Sequence, residues 1–462
     1  MADRPARSGP LSLRAVRRAL ATGQISPTEL LERCLARMPE AQQSGAFVVI
    51  DEAGARRAAA AQAAVEPDRR GPLSGIPCAV KDLVDVAGLP TAAGRPAGPV
   101  APEDAPIVRM LRTAGAVIVG KTRTDELGLA TFTPGTRDPR DPARTVGGSS
   151  GGSAVAVAVG AAVLAVATDT AGSARIPAAA CGVAGLCASA GSLPTGGAVR
   201  LSADFDRLGL IAADGADLDL AWRRLTGSPR PAAPAAVYTL APACLGRVDP
   251  ERLAAAREAA HALGAPVTEL TGPSLSAFGA PRAVVITADA ARRHDVAAAE
   301  SPVVRRQLAD GRAHTAGEVA AARRRLGELG EQLRAGVGSG VLVLPALPAV
   351  PPRWDEIATV EDQLRAVGRL TRLCAPVNSS GLAAVTVPWS ADAAGHPIGV
   401  QVAAASGTLA LAAAAGLRRL SDGPSLSEYK TSHCRIVRAR IRVMHRGILV
   451  NRLRTPPVLL RF

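Results

Sequence analysis

The chain has 462 residues, 48% of them hydrophobic and only 2% aromatic, with a formal net charge of +14. That length holds one large domain or two or three smaller ones around a substantial core, and the composition excludes a disordered chain. So few aromatic rings also exclude a site built mainly from stacking platforms.

The first strong helix signal is Ser26-Pro27-Thr28-Glu29. Serine caps, proline fits the first helical position, and glutamate three residues after the cap can close a capping box. Leu30, Leu31, Cys34 and Leu35 then form one apolar face. Strands are predicted at residues 46–50 and 77–80, the second running into Lys81 and a polar turn at Asp82. Residues 107–114 read as a helix with Val108, Met110 and Leu111 turned inward, and 116–119 as a short buried strand. Residues 133–148 form a polar loop rich in Pro, Arg and Asp. A Gly/Ser run, residues 147–153, leads into an apolar helical stretch at 154–159 and a buried strand at 163–167. Residues 249–337 are predicted mostly helical, and strands follow at 340–344, 384–388 and 398–403. Helices and strands alternate without an internal repeat, so the expected class is α/β. It is read as one large domain with a central twisted mixed β-sheet covered by helices on both faces, over residues 1–422, ending at Asp422-Gly423-Pro424.

Residues 423–462 hold nine Lys/Arg and one Glu, which is +8 of the +14. This basic C-terminal extension is expected to be poorly ordered, and its charge says little about the main domain, so nucleic acid is not expected as a partner. Seven scattered cysteines without a CxxC pair point to a reducing compartment, not to a disulfide framework. No apolar signal-peptide core follows Met1, and the most apolar stretch is shorter than the roughly 20 residues that span a bilayer. A cytoplasmic location without membrane association is therefore expected.

Three segments carry candidate chemistry, each with a plain alternative. Gly147-Gly148-Ser149-Ser150-Gly151-Gly152-Ser153 alone would be a flexible linker. Here it abuts a buried helix, where a Gly-rich turn offers backbone N–H groups and close approach. Asp169 to Arg175 could be an ordinary turn after a strand. Small residues at 171 and 172, next to Ser173, also let successive N–H groups converge as an oxyanion hole requires. Lys81 could snorkel to the surface. If it is buried, desolvation lowers its pKa and makes it a proton acceptor.

Together these segments closely resemble the amidase signature family, from about residue 10 to about residue 420. The match includes Gly75-Ile76-Pro77-Cys78-Ala79-Val80-Lys81-Asp82, Ala87-Gly88-Leu89-Pro90-Thr91 and Gly120-Lys121-Thr122. It is strongest over residues 147–185, where GGSSGGS, TDTAGS, RIPA and CGVAGL follow in family order, with Ser149 and Ser173 set 24 positions apart. The resemblance implies the amidase signature fold and a Ser-Ser-Lys triad: Ser173 the nucleophile, Ser149, in a cis peptide, the bridging serine, and Lys81 the base. It also implies an oxyanion hole from the amides of Thr170, Ala171, Gly172 and Ser173, with Ser150, Asp169 and Arg175 as supports. The implied activity is hydrolysis of a small carboxylic amide to acid and ammonia or amine through an acyl-enzyme, without cofactor or metal. The alternative is a glutamine-hydrolysing A-type subunit of a tRNA-dependent amidotransferase. The expected partner is a small-molecule amide, and a homodimer is left open. Two departures stand out. Ala171 replaces the commoner glycine and is strained if φ there is positive. Cys187-Ala188-Ser189 replaces the usual Lys-Pro-Thr.

Rival motifs fit less well. Residues 115–122 match GxxxxGK[ST] letter for letter, but Ala116-Val117-Ile118-Val119 favours a strand over a phosphate loop, which makes Lys121 structural. GxSxG is satisfied around Ser150 and one residue earlier, but loop chemistry precedes it where a strand is needed. That reading also needs a late histidine, and His396, in a Gly-His-Pro turn, is the only plausible one. The six histidines are dispersed and no HExxH or clustered Cys/His set occurs, which argues against a catalytic metal. The pocket walls are expected around 122–135, 200–210 and 345–380.

Overall fold

The computed structural model describes residues 9–417. Eleven strands form one mixed sheet: β1 (Phe47–Ile50), β2 (Pro77–Lys81), β3 (Val117–Thr122), β4 (Leu164–Thr168), β5 (Ala184–Cys187), β6 (Leu208–Ala212), β7 (Val237–Leu240), β8 (Val267–Leu270), β9 (Val341–Pro345), β10 (Ala383–Ala391) and β11 (Pro397–Ala404). Their order across the sheet is β1-β3-β2-β4-β6-β5-β10-β11-β9-β7-β8. β2 runs parallel to both β3 and β4, and β7 runs parallel to β8 and β9. The remaining pairs are antiparallel. Helices flank the sheet, as expected for the class.

The local signals act as physical chemistry requires. Ser26 caps helix Pro27–Leu35: its Oγ accepts the Glu29 N–H at 3.2 Å, and the Glu29 carboxylate accepts the Ser26 N–H at 2.8 Å. Leu30, Leu31, Cys34 and Leu35 of that helix are buried. Every residue of β2 and β3 is buried, because β2 sits between two parallel neighbours. The 116–119 segment is thus sheet, not phosphate loop, and Lys121 pairs with Asp82 at 2.9 Å. The Gly/Ser run is not a linker. Helix Gly151–Ala158 starts inside it, and a Cβ on Gly152 would lie 2.3 Å from the Ala46 carbonyl oxygen.

Some elements differ from expectation. β5, β6, β7 and β8 were not foreseen. The first two are short and carry glycine, and β8 is an edge strand with half-exposed residues inside the 249–337 region expected to be mostly helical. In helix Pro106–Thr113, Ile107 takes a buried place while Met110 is only half-buried. The boundary at 422 and the basic extension 423–462 lie outside the described residues. Among the described residues, no helix is long and apolar enough to cross a membrane.

Candidate active site

Three parallel neighbours, β3, β2 and β4, end side by side, and their carboxyl ends carry the candidate chemistry. This is where open α/β sheets present ligand sites. Lys81 is the last residue of β2, paired in register with Thr122 of β3. Thr168 ends β4, and the turn from Asp169 to Ser173 follows it.

Lys81, Lys121 and Arg175 are among the largest fully buried side chains. Lys121 and Arg175 each face a carboxylate at 2.9 Å, Asp82 and Asp169 respectively. Lys81 faces hydroxyls instead: its Nζ lies 2.5 Å from Ser149 Oγ and 2.7 Å from Thr168 Oγ1. Burial pushes the Lys81 amine down from 10.5 to about 7, against the opposing pull of Asp125, Asp169 and Asp206. Asp125, just beyond β3, is itself pushed up to about 6 by burial while the Lys81 charge pulls it down. Its carboxylate accepts the Ala130 N–H at 2.5 Å.

Ser149 follows a cis Gly148–Ser149 peptide. Ser150 ties this segment to the next: its N–H donates to the Ser173 carbonyl at 3.0 Å, and its hydroxyl donates to the Thr168 carbonyl at 3.2 Å. The structure therefore brings Lys81, Ser149 and Thr168 into direct contact and places the Ser173 backbone beside them. Among the described residues, the Ser173 hydroxyl makes no hydrogen bond to Ser149 or Lys81.

The Ser173 turn is organised from below by Asp169. One carboxylate oxygen accepts the Gly172 N–H at 2.8 Å; the other accepts the Ala174 and Arg175 N–H groups at 3.2 and 3.3 Å. Arg175 clamps the same carboxylate through Nε at 3.0 Å and Nη2 at 2.9 Å. Burial opposes ionisation of Asp169, but Arg175, Asn378 and the Gly172 N–H hold its pKa below the usual carboxylate range. The rest of the guanidinium is taken by Gln401 Oε1, the Cys374 carbonyl and Asn378 Oδ1. Of the four amides expected in the oxyanion hole, that of Gly172 is thus spent on Asp169. Those of Thr170, Ala171 and Ser173 have no partner among the described residues.

Both departures in this region find a place. Ala171 is not among the residues with positive φ, so the strain tied to that condition does not arise. The left-handed demand falls on Gly172, at φ +113°, where a Cβ would lie 2.6 Å from Cys374 Cβ. Cys187 is buried at the end of β5 and its sulfur accepts the Asn378 side-chain N–H at 3.4 Å. His396 pairs with Asp392, Nδ1 to Oδ2 at 3.1 Å, in the hairpin between β10 and β11, and makes no hydrogen bond to a serine of the site.

Ser173, Thr131 and Ala171 open on a small cavity of about 60 Å³. Gly128, Leu201 and Val367 come from the three wall segments expected. The remaining wall was missed: Arg282 and Ile286 of helix Gly279–Arg293, and Gln307 of helix Pro302–Ala313. Asp125, Asn378 and Gln401 were missed as well. For Asp125 a signal existed, two adjacent acids three positions beyond the end of a buried strand.

The profile of the Amidase family matches residues 29–272 and 301–408. The chain belongs to the amidase family. It is 40% identical over 227 residues to the A subunit of the glutamyl-tRNA(Gln) amidotransferase of Anaeromyxobacter dehalogenans, covering 47% of this chain and 46% of that protein. It is 43% identical over 179 residues to an amidase of Pseudomonas putida, covering 38% of each. The matches thus span less than half the length of these curated relatives. A solved amidase structure superposes with a TM-score of 0.79 at 34% identity, over 88% of this chain and 98% of that one. Lys81, Ser149 and Ser173 lie within the first matched span.

Proposed function

We propose that this amidase-family chain hydrolyses a small carboxylic amide to acid and ammonia or amine, with Ser173 as nucleophile and no cofactor. The observation that carries the reading is the fully buried Lys81 amine, in contact with Ser149 at 2.5 Å and paired with no carboxylate of the described residues. An amine with a pKa of about 7 is substantially neutral at physiological pH and can accept a proton.

In this reading Ser173 Oγ turns toward Ser149 as substrate enters and attacks the carbonyl carbon. Its proton passes to Ser149 as the Ser149 proton passes to Lys81. The oxyanion takes the free N–H groups of the 170–173 turn, chiefly those of Ala171 and Ser173. The proton then returns through Ser149 to the nitrogen as the C–N bond breaks, because an unprotonated amide nitrogen is a very poor leaving group. Water, deprotonated by the same pair, cleaves the acyl-enzyme. Ser150, Asp169 and Arg175 position the turn without touching the reacting atoms.

The test is a panel of aliphatic, aryl and amino-acid amides assayed for acid and ammonia release with wild type and Ser173→Ala. Turnover of at least one amide, lost in the variant, is expected. Hydrolysis that survives in Ser173→Ala overturns the assignment. The similarity to an A-type amidotransferase chain supports a second reading, in which the same residues release ammonia from glutamine for a partner protein. Glutaminase activity that appears only with a copurifying second chain would select it.

A further inference from the structure

Arg282 stands apart from the other buried arginines of the described residues, Arg175 and Arg252, each of which pairs with a carboxylate. It is 8% exposed, lines the cavity that holds Ser173, and forms no ion pair with a described residue. Its one hydrogen bond there runs from Nη2 to Thr371 Oγ1 at 3.0 Å, and its buried Nε has no acceptor. The acid on its own helix, Asp289, is committed to Ser202, Arg292 and Arg323. Beside Arg282 in the same wall, Gln307 is similarly underused: Nε2 makes a long 3.5 Å contact to the Leu129 carbonyl and Oε1 has no partner among the described residues. Burial lowers the Arg282 pKa to about 10 with no carboxylate to oppose it, which still leaves the guanidinium charged at neutral pH.

A buried, charged fork without a counter-ion is costly, and a planar carboxylate is its natural complement. The cavity is small, so an anion reaching Arg282 must be only a few bonds from the carbonyl at Ser173. We propose that Arg282 is the specificity residue of this site and that the preferred substrate is a short amide bearing a free carboxylate. This rests on the amide-hydrolase reading and narrows it to a substrate class. Gln307 Oε1 offers an acceptor to an N–H or O–H of the same molecule.

The experiment compares monoamides of short dicarboxylic acids with the matching neutral diamides, succinamate against succinamide and the malonyl and glutaryl pairs. Each pair differs in a carboxylate for a carboxamide of equal size. Wild type should favour the anion by about 10- to 100-fold in kcat/KM, the scale of a hydrogen-bonded charge. In Arg282→Met the ratio should fall toward one, mainly through KM. Arg282→Lys keeps the charge without the fork and should retain part of it, and it carries the test if the methionine variant does not fold. Equal rates on both members of every pair in wild type, or an undiminished ratio in both variants, overturns the proposal while leaving the hydrolase reading intact. If no amide is turned over, calorimetric titration of succinamate decides separately. Saturable binding lost in Arg282→Met and weakened in Arg282→Lys supports the carboxylate site, and binding unchanged in both variants or absent from wild type refutes it.

Discussion

Replacing Lys81 by methionine removes a buried amine that the fold holds near pKa 7 against an ordinary 10.5. In wild type the folded amine is largely neutral above pH 7, while the unfolded one stays protonated up to about 10.5. The unfolded state therefore binds more protons in this window, and stability rises with pH by about 1.4 kcal/mol per unit. This contribution is complete only above the unfolded pKa and is lost as pH falls toward 7. The bonds to Ser149 and Thr168 are lost at every pH, so they offset the curve without tilting it. Asp125 titrates near 6 beside Lys81, so the clean range is pH 8 to 10. Across it, wild type should gain about 2–3 kcal/mol relative to Lys81→Met, read from urea unfolding of both proteins in parallel under reducing conditions. Parallel curves would show that the folded amine has an ordinary pKa, and the proton-relay argument would fall with it.

On the proposed mechanism the same amine sets the pH dependence of turnover. Log kcat/KM should rise with unit slope to about pH 7 and then level, about tenfold below its plateau at pH 6, the limb belonging to the coupled Lys81–Asp125 pair. A profile flat from pH 5.5 to 8 contradicts this. Asp169→Asn leaves Arg175 charged and buried without its carboxylate, and should cost about 3–5 kcal/mol by urea unfolding. A loss under 1 kcal/mol would show that the ion pair does not hold the turn. Gly172→Ala forces a side chain into φ +113° and within 2.6 Å of Cys374 Cβ. A loss of at least about 2 kcal/mol is expected, with a fall in kcat, and an unchanged variant would mean that the turn is not so constrained. His396→Ala should keep its activity, since His396 pairs with Asp392, and complete loss would restore a Ser-His mechanism.

What could be read from the sequence was local. Ser26 and Glu29 sit one helical turn apart, and the residues that shape the Ser173 turn lie within six positions of Asp169. What could not be read was distant. Arg175 is completed by Asn378, 203 positions away, and by Gln401, 226 away. No periodicity in a single chain reports such pairs. Three of the four missed strands failed for another reason. β5 and β6 are four- and five-residue segments with glycine inside the central sheet, so strand propensity there is overridden by neighbours on both sides. β8 lies on an edge, in a stretch where Ala, Arg and Glu favour helix on either side.

The buried cations divide by partner, and the division separates structural from chemical roles. Lys121 joins the β2–β3 end to Asp82 and the 90–91 segment, and Arg175 joins the Ser173 turn to residues 374, 378 and 401. Each has a carboxylate, and each would be expected in any protein that packs charge inside. Lys81 and Arg282 are likewise withdrawn from water and have none among the described residues. A fold gains nothing in stability from such groups, since an apolar side chain would pack in their place at lower cost. Their environment instead sets two different states at one pH: an amine near neutrality that can exchange a proton, and a guanidinium that stays charged and can only be satisfied from outside. On the proposed reading, the first makes and breaks the acyl bond and the second chooses which acyl group reaches it.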